Sequence, residues 1–216
     1  MIRACIFDLD GTLSNTLTTI AYYGNKTLNK FGLASIPEER YRYLVGNGAK
    51  ILVERMITEV GGDLSRLEEI FLDYTQSYEE EPLYLTKPYD GIVELLSALR
   101  EQGVYTAVLS NKPHAPTCAV VEALFGKDAF DCYYGQREGV AIKPDPVAVF
   151  EIMDELGVKA EECLFIGDTA VDIRTGKNAK TKAVGVLWGF RDRDELLENG
   201  ADILLEHPMQ LLDFLG

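Results

Sequence analysis

The chain has 216 residues, 47% of them apolar and 26% charged, the profile of a globular protein long enough to bury a sizeable core. Its formal net charge of -14 argues against nucleic acid and anionic membrane surfaces as partners, because both attract basic faces. A small anionic substrate stays compatible with that acidity, provided cations converge locally.

Ile2 to Phe7 is an apolar run broken only by Arg3, which reads as a strand buried on both faces of a parallel sheet. It runs directly into Asp8-Leu9-Asp10-Gly11-Thr12-Leu13. Two carboxylates two residues apart share a face if the strand continues, and at the end of a parallel strand they lie where open α/β sheets hold ligands. Acids this close repel unless a cation or a shared proton relieves them, and hard oxygen ligands suit magnesium. The same residues also suit a plain acidic turn with Asp10-Gly11 at its bend. These acids interrupt any apolar signal-peptide core, and no apolar run approaches the roughly 18 residues of a membrane helix.

From Leu17 to Phe31 the apolar residues recur at steps of three and four, an amphipathic helix that Gly32 stops. Pro37 opens a short helix, with Glu38 and Glu39 beside its positive end. Gly46-Asn47-Gly48 breaks the chain, and helical stripes follow at Leu52-Val53-Met56-Ile57-Val60 and Leu67-Ile70-Phe71-Tyr74-Tyr78. Residues 14 to about 85 are thus expected to be all-helical. From Pro88 strands and helices alternate. A helix from Gly91 to Gln102 precedes a strand from Val104 to Leu109, which ends at Ser110-Asn111-Lys112-Pro113. A helix to Phe125 and a strand from Phe130 to Tyr134 come next. Lys143-Pro144-Asp145-Pro146 opens the following helix, and a strand from Glu162 to Ile166 ends at Gly167-Asp168-Thr169, where another helix begins. Strands at 181–187 and 201–204 and a C-terminal helix from Pro208 complete the series. This order predicts an α/β fold: a doubly wound, mostly parallel, Rossmann-like sheet core of residues 1–13 and 87–216, with an inserted all-helical domain of residues 14–86.

Polar residues follow successive predicted strands: Asp8 and Asp10, then Ser110 and Asn111, then Asp168, with Lys143 from a loop entering a helix. Parallel strands bring their carboxyl ends to one edge, so these groups can converge. A carboxylate at Asp8 can attack phosphorus to form an aspartyl-phosphate. Asp10 can protonate the leaving oxygen and then activate water. Magnesium between Asp8, the backbone carbonyl of Asp10 and Asp168 would let an anionic nucleophile approach an anionic phosphate. Ser110, the amide after it and Lys143 suit the equatorial oxygens, where charge must be stabilised. Asp172, four residues after Asp168, lies on the same side of a helical first turn and could join the metal site or orient Lys143. Gly46-Asn47-Gly48 precedes a helix, so Asn47, Gly48 and Lys50 could receive a second anionic group such as a carboxylate. His114 and His207 read as helix-start and turn residues, and Trp188 as packing. Cys5, Cys118, Cys132 and Cys163 are far apart with no C-x-x-C pair, which reads as free, mostly buried thiols in a reducing, cytoplasmic setting.

Asp8-Leu9-Asp10-Gly11-Thr12, Ser110-Asn111, Lys143-Pro144 and Gly167-Asp168-Thr169-Ala170-Val171-Asp172 resemble, in this order, the four motifs of the haloacid dehalogenase-like phosphatases. The resemblance spans nearly the whole chain. It implies Asp8 as nucleophile and Asp10 as acid/base, with magnesium at Asp8, Asp10 and Asp168, and Asp172 beside them. It also implies phosphate held by Ser110, Asn111 and Lys143, with Gly11 against the substrate, and a C1-type cap in the helical insert. Val45-Gly46-Asn47-Gly48-Ala49, Lys87-Pro88-Tyr89-Asp90-Gly91 and Val186-Leu187-Trp188-Gly189-Phe190-Arg191 are similar to the phosphoglycolate phosphatase branch, which implies 2-phosphoglycolate as substrate. Arg174-Thr175-Gly176-Lys177 departs from the alanine-rich helix of many relatives. A sugar phosphomutase or pyrophosphatase would use the same scaffold, and assays with added bisphosphate separate a mutase from a hydrolase. A phospho-receiver module also gathers acids and a lysine at strand ends, but needs neither a helical lid nor a leaving-group acid.

Overall fold

The computed structural model describes residues 1–216. In chain order its elements are β1 (Ala4–Phe7), β2 (Ser14–Asn15), α1 (Leu17–Lys30), α2 (Glu38–Leu44), α3 (Ala49–Glu59), α4 (Leu67–Glu80), β3 (Lys87–Pro88), α5 (Ile92–Glu101), β4 (Tyr105–Pro113), α6 (His114–Phe125), β5 (Cys132–Gln136), α7 (Val147–Leu156), β6 (Cys163–Gly167), α8 (Ala170–Asn178), β7 (Lys182–Val186), α9 (Arg193–Glu198) and β8 (Ile203–Leu205).

β1 is fully buried, and its alternate residues enter different cores. Cys5 and Phe7 pack with Ile92, Leu95 and Leu99 of α5, whereas Ala4 and Ile6 pack with Val149 and Ile152 of α7. Both faces being covered is why this stretch shows no polar alternation. Burying Phe7 and Ile6 contributes about 2 kcal/mol each and anchors the strand whose end carries the acids. The sheet order is β5-β4-β1-β6-β7-β8, with every pair parallel. The chain winds from β1 outward in one direction through β4 and in the other through β6. The carboxyl end of β1 is therefore the switch point where an open sheet leaves a crevice.

The helical insert builds a separate apolar core, in which Tyr23, Leu28, Tyr41, Val53, Met56, Ile57, Ile70 and Tyr74 are buried together, and Phe190 from the sheet side joins it. The expectation of an all-helical insert needs one correction. Ser14–Asn15 and Lys87–Pro88 form a two-stranded antiparallel ribbon where the chain leaves and re-enters the sheet core. Two residues are too few to show any period, and Pro88 fits such a strand only because the ribbon is all edge.

Two further details differ. β4 continues past Leu109 to Pro113, with a register shift against β5, rather than ending at Ser110. The C-terminal helix starts at Pro208 as expected and runs to Phe214 in 3-10 form. His207 caps it by accepting from Met209 N at 3.3 Å, while the Gln210 side chain accepts from His207 N at 3.0 Å. The short α9 was not expected. Its six residues bury a single side chain, Leu196, too little for a visible stripe. No helix is long and apolar enough to cross a membrane.

Candidate active site

β1 stops at Phe7, so Asp8 and Asp10 do not share a strand face; a turn carries them to one cleft instead. Asp8 stays in line with the sheet through Asp8 N donating to Ile166 O at 2.8 Å. Leu9 O then accepts from Leu13 N and Ser14 N, at 3.1 and 3.0 Å, which winds the chain into a tight knot and swings Asp10 aside. Gly11 has a φ of 95°. A Cβ there would collide with the Asp168 carboxylate, so Gly11 makes room for that acid rather than lining the cleft as expected.

The chain ends of β1 and β6 put three carboxylates together. Asp8, Asp168 and Asp172 are all buried and each offers an oxygen within 4.8 Å of the others. Lys143 Nζ donates to Asp8 Oδ1 and Asp172 Oδ1, both at 2.7 Å. Burial alone would lower the Lys143 pKa, but Asp172 and Asp8 outweigh it and hold the ammonium above the ordinary lysine range. Asp172 also serves the first turn of α8, where its Oδ2 accepts from Thr169 N at 3.1 Å and Thr169 Oγ1 at 2.7 Å. Asp168 meets no cation; its oxygens accept from Thr12 Oγ1 at 3.0 Å and Phe190 N at 2.8 Å. Burial raises Asp8 to about 7, against the opposing pull of Lys143. Burial, with the charges of Asp172 and Asp8, pushes Asp168 well above the carboxylate range. Three buried carboxylates face one ammonium, a surplus of negative charge that a hard divalent cation would relieve. Asp10 stands outside this group, with its carboxylate engaged elsewhere.

Lys112, which the sequence reading left out, takes both Asp10 oxygens at 3.0 and 3.1 Å and the Tyr78 hydroxyl at 2.9 Å. Its side chain is 7% exposed. The sequence hid it because the strand was expected to end at Leu109; β4 runs on to Pro113 and carries Lys112 to the cleft. Ser110 is buried and its Oγ accepts from Lys112 N at 3.2 Å. The Asn111 side chain is already committed. Its Nδ2 donates to Gly46 O and Lys143 O, both at 3.1 Å, and its Oδ1 accepts from Lys143 N at 2.9 Å. It ties the Lys143 loop to the cap turn instead of offering its amide to a ligand.

The cleft lies between these groups and the helical insert and is open to solvent at its mouth. Gly46 and Gly48 line it, but the other two residues expected in the cap turn do not. Asn47 Oδ1 accepts from Arg55 Nη2 at 2.9 Å, and exposed Lys50 pairs with Glu68 across the helix pair α3–α4. Lys50 lies one residue into α3, and that helix rotation carries it away from the cleft. His114 Nδ1 accepts from Gly135 N at 3.2 Å, and Trp188 Nε1 donates to Thr12 O at 3.0 Å, both in supporting positions. All four cysteines are free thiols, three of them buried.

Residues 5–186 match the family described as haloacid dehalogenase-like hydrolase. The phosphoglycolate phosphatase of Rhodospirillum rubrum is 34% identical over 224 residues, covering 100% of this chain and 92% of that protein. The N-acetylmuramic acid 6-phosphate phosphatase of Pseudomonas aeruginosa is 30% identical over 223 residues, covering 99% and 95%. A solved structure from Lactobacillus delbrueckii subsp. bulgaricus, provisionally assigned as a phosphoglycolate phosphatase, superposes with a TM-score of 0.94 at 27% identity, covering 99% of this chain and 98% of that one.

Proposed function

This chain belongs to the haloacid dehalogenase-like hydrolases as a phosphoric monoester hydrolase, and we propose that it is a magnesium-dependent phosphatase of the cytoplasm that works through an aspartyl-phosphate on Asp8. The observation that carries this reading is the buried group of Asp8, Asp168 and Asp172 with Lys143 bridging two of them at a sheet switch point. Asp8, Asp168 and the backbone carbonyl of Asp10 would hold the magnesium, with Asp172 beside them. When bound, the ion supplies charge neutralisation at the phosphoryl oxygens.

The protein's own groups divide the work. Asp8 attacks phosphorus, and Asp10, held off the strand axis by the Leu9 turn, gives a proton to the leaving oxygen and later takes one from water. Lys143 and Ser110 stabilise the equatorial oxygens, and Asn111 and Asp172 position Lys143. Residues 14–86 act as a cap over the cleft. The two relatives are named for phosphoglycolate and N-acetylmuramic acid 6-phosphate, both phosphomonoesters that also carry a carboxylate. We take that class as the substrate, with 2-phosphoglycolate first among its members. A panel of phosphate esters ranked by kcat/KM tests the reading. It should place a carboxylate-bearing monoester at the top. Failure to hydrolyse any ester above background with magnesium present would overturn it.

The metal assignment has a readout independent of turnover. Asp8 binds a proton in the folded state up to about pH 7, whereas the unfolded side chain has lost it by about pH 4. The folded state thus holds more protons across that window, so the metal-free protein loses stability as pH rises through it. Magnesium chloride should therefore raise Tm more at pH 8 than at pH 5, where protons compete for the same oxygens. Asp168→Ala should abolish most of that magnesium-dependent shift. An equal shift in the variant would remove Asp168 from the site.

A further inference from the structure

The charges lining the cleft are unevenly used. Asp8 and Asp172 share Lys143, and Asp10 holds Lys112. The helical insert supplies one charged side chain, exposed Glu79, and it has the wrong sign for an anion. Lys112 is thus the only cation of the cleft outside the Asp8–Lys143–Asp172 group. Its ammonium divides three donors between the two Asp10 oxygens and the Tyr78 hydroxyl, and it sits 4.5 Å from the Tyr78 ring centroid. Ser110 Oγ fixes its backbone on the other side. A side chain that is 7% exposed and clasped from both the sheet and the cap holds a defined position, as a specificity group needs.

That position lies where a substrate's leaving group must go. If Asp10 reaches the bridging oxygen, the atoms just beyond that oxygen meet Lys112. In a 2-phospho acid the carboxylate stands one carbon further on, close enough to take a donor that Asp10 now shares. We infer that Lys112, held by Tyr78, is the residue that selects substrates with a carboxylate on the leaving-group side. The assignment rests on the phosphatase reading and replaces Asn47 and Lys50 in the role expected for them. Lys112 gives a charge-assisted hydrogen bond to the carboxylate, and an uncharged leaving group of the same length forgoes it.

The test compares 2-phosphoglycolate with 2-hydroxyethyl phosphate, which matches its length without the charge. The wild type should favour phosphoglycolate in kcat/KM. Lys112→Gln should cut that preference by about tenfold or more, beyond any loss common to both esters through Asp10. Lys112→Arg, which keeps the cation, should retain most of it. Thermal melting verifies folding. If the Gln variant fails to fold, the Arg variant and the wild type with the methyl ester of phosphoglycolate decide the matter: the ester should fall to the level of the neutral substrate. Equal losses on both substrates, or a wild type without preference, would overturn the assignment and leave the phosphatase reading standing. Hydrolysis of neither ester would overturn the assignment, and the wider panel of phosphate esters decides the phosphatase reading separately.

Discussion

Asp8→Asn should reduce turnover by roughly 10⁴-fold or more, because the amide cannot attack phosphorus and nothing else in the cleft replaces it. The fold should survive. Asn matches the shape of Asp, and Asp8 N still donates to Ile166 O at 2.8 Å. Lys143 keeps Asp172 as a partner at 2.7 Å. Burial already pushes the Asp8 carboxyl to about 7, so its charge is a burden to the metal-free protein at higher pH. Tm without magnesium should accordingly be unchanged or higher at pH 8 in the variant. Steady hydrolysis near the wild-type rate would exclude Asp8 as nucleophile, whatever the melting curve shows.

Lys143→Ala should damage both stability and chemistry. It strips the only cation from Asp8 and Asp172, and breaking a buried ion pair from one side costs about 3–5 kcal/mol. If Lys143 meets the transferring phosphoryl oxygens as proposed, kcat should also fall by about 10²- to 10³-fold, the loss expected for one such donor. The two effects separate with metal. Magnesium can replace part of the lost positive charge and restore Tm, but it cannot restore a donor at the Lys143 position. Recovery of kcat along with Tm at saturating magnesium would show that Lys143 is structural only.

Most of this arrangement was visible in the sequence because the responsible signals are local and long. The apolar run before Asp8 marks a doubly covered strand, and the three-and-four steps from Leu17 to Tyr78 mark helices. What escaped was decided by geometry between elements. Tyr78 read as one more apolar position of a stripe, and nothing local shows that its hydroxyl reaches Lys112 at 2.9 Å. Lys50 follows two glycines at a helix start, as an anion-binding residue would, yet Glu68 on α4 draws it to the outer face. Asn111 sits in a motif that suggests ligand contact, but three side-chain hydrogen bonds commit it to Gly46 and Lys143. The Ser14–Asn15 ribbon carries no pattern because its partner is 72 residues away in pairing terms, Asn15 against Lys87.

The covalent step through Asp8 is the centre of the account. Rapid acid quench of a single turnover with a radiolabelled phosphomonoester, followed by peptide mapping, measures it directly. Slowing the second half-reaction with Asp10→Asn and using an activated aryl ester should let the intermediate accumulate, since that leaving group needs little protonation. The expected result is label on the peptide containing Asp8, released by hydroxylamine as an acyl phosphate is. Product formed in the first turnover, with no protein-bound label at any quench time, would contradict it.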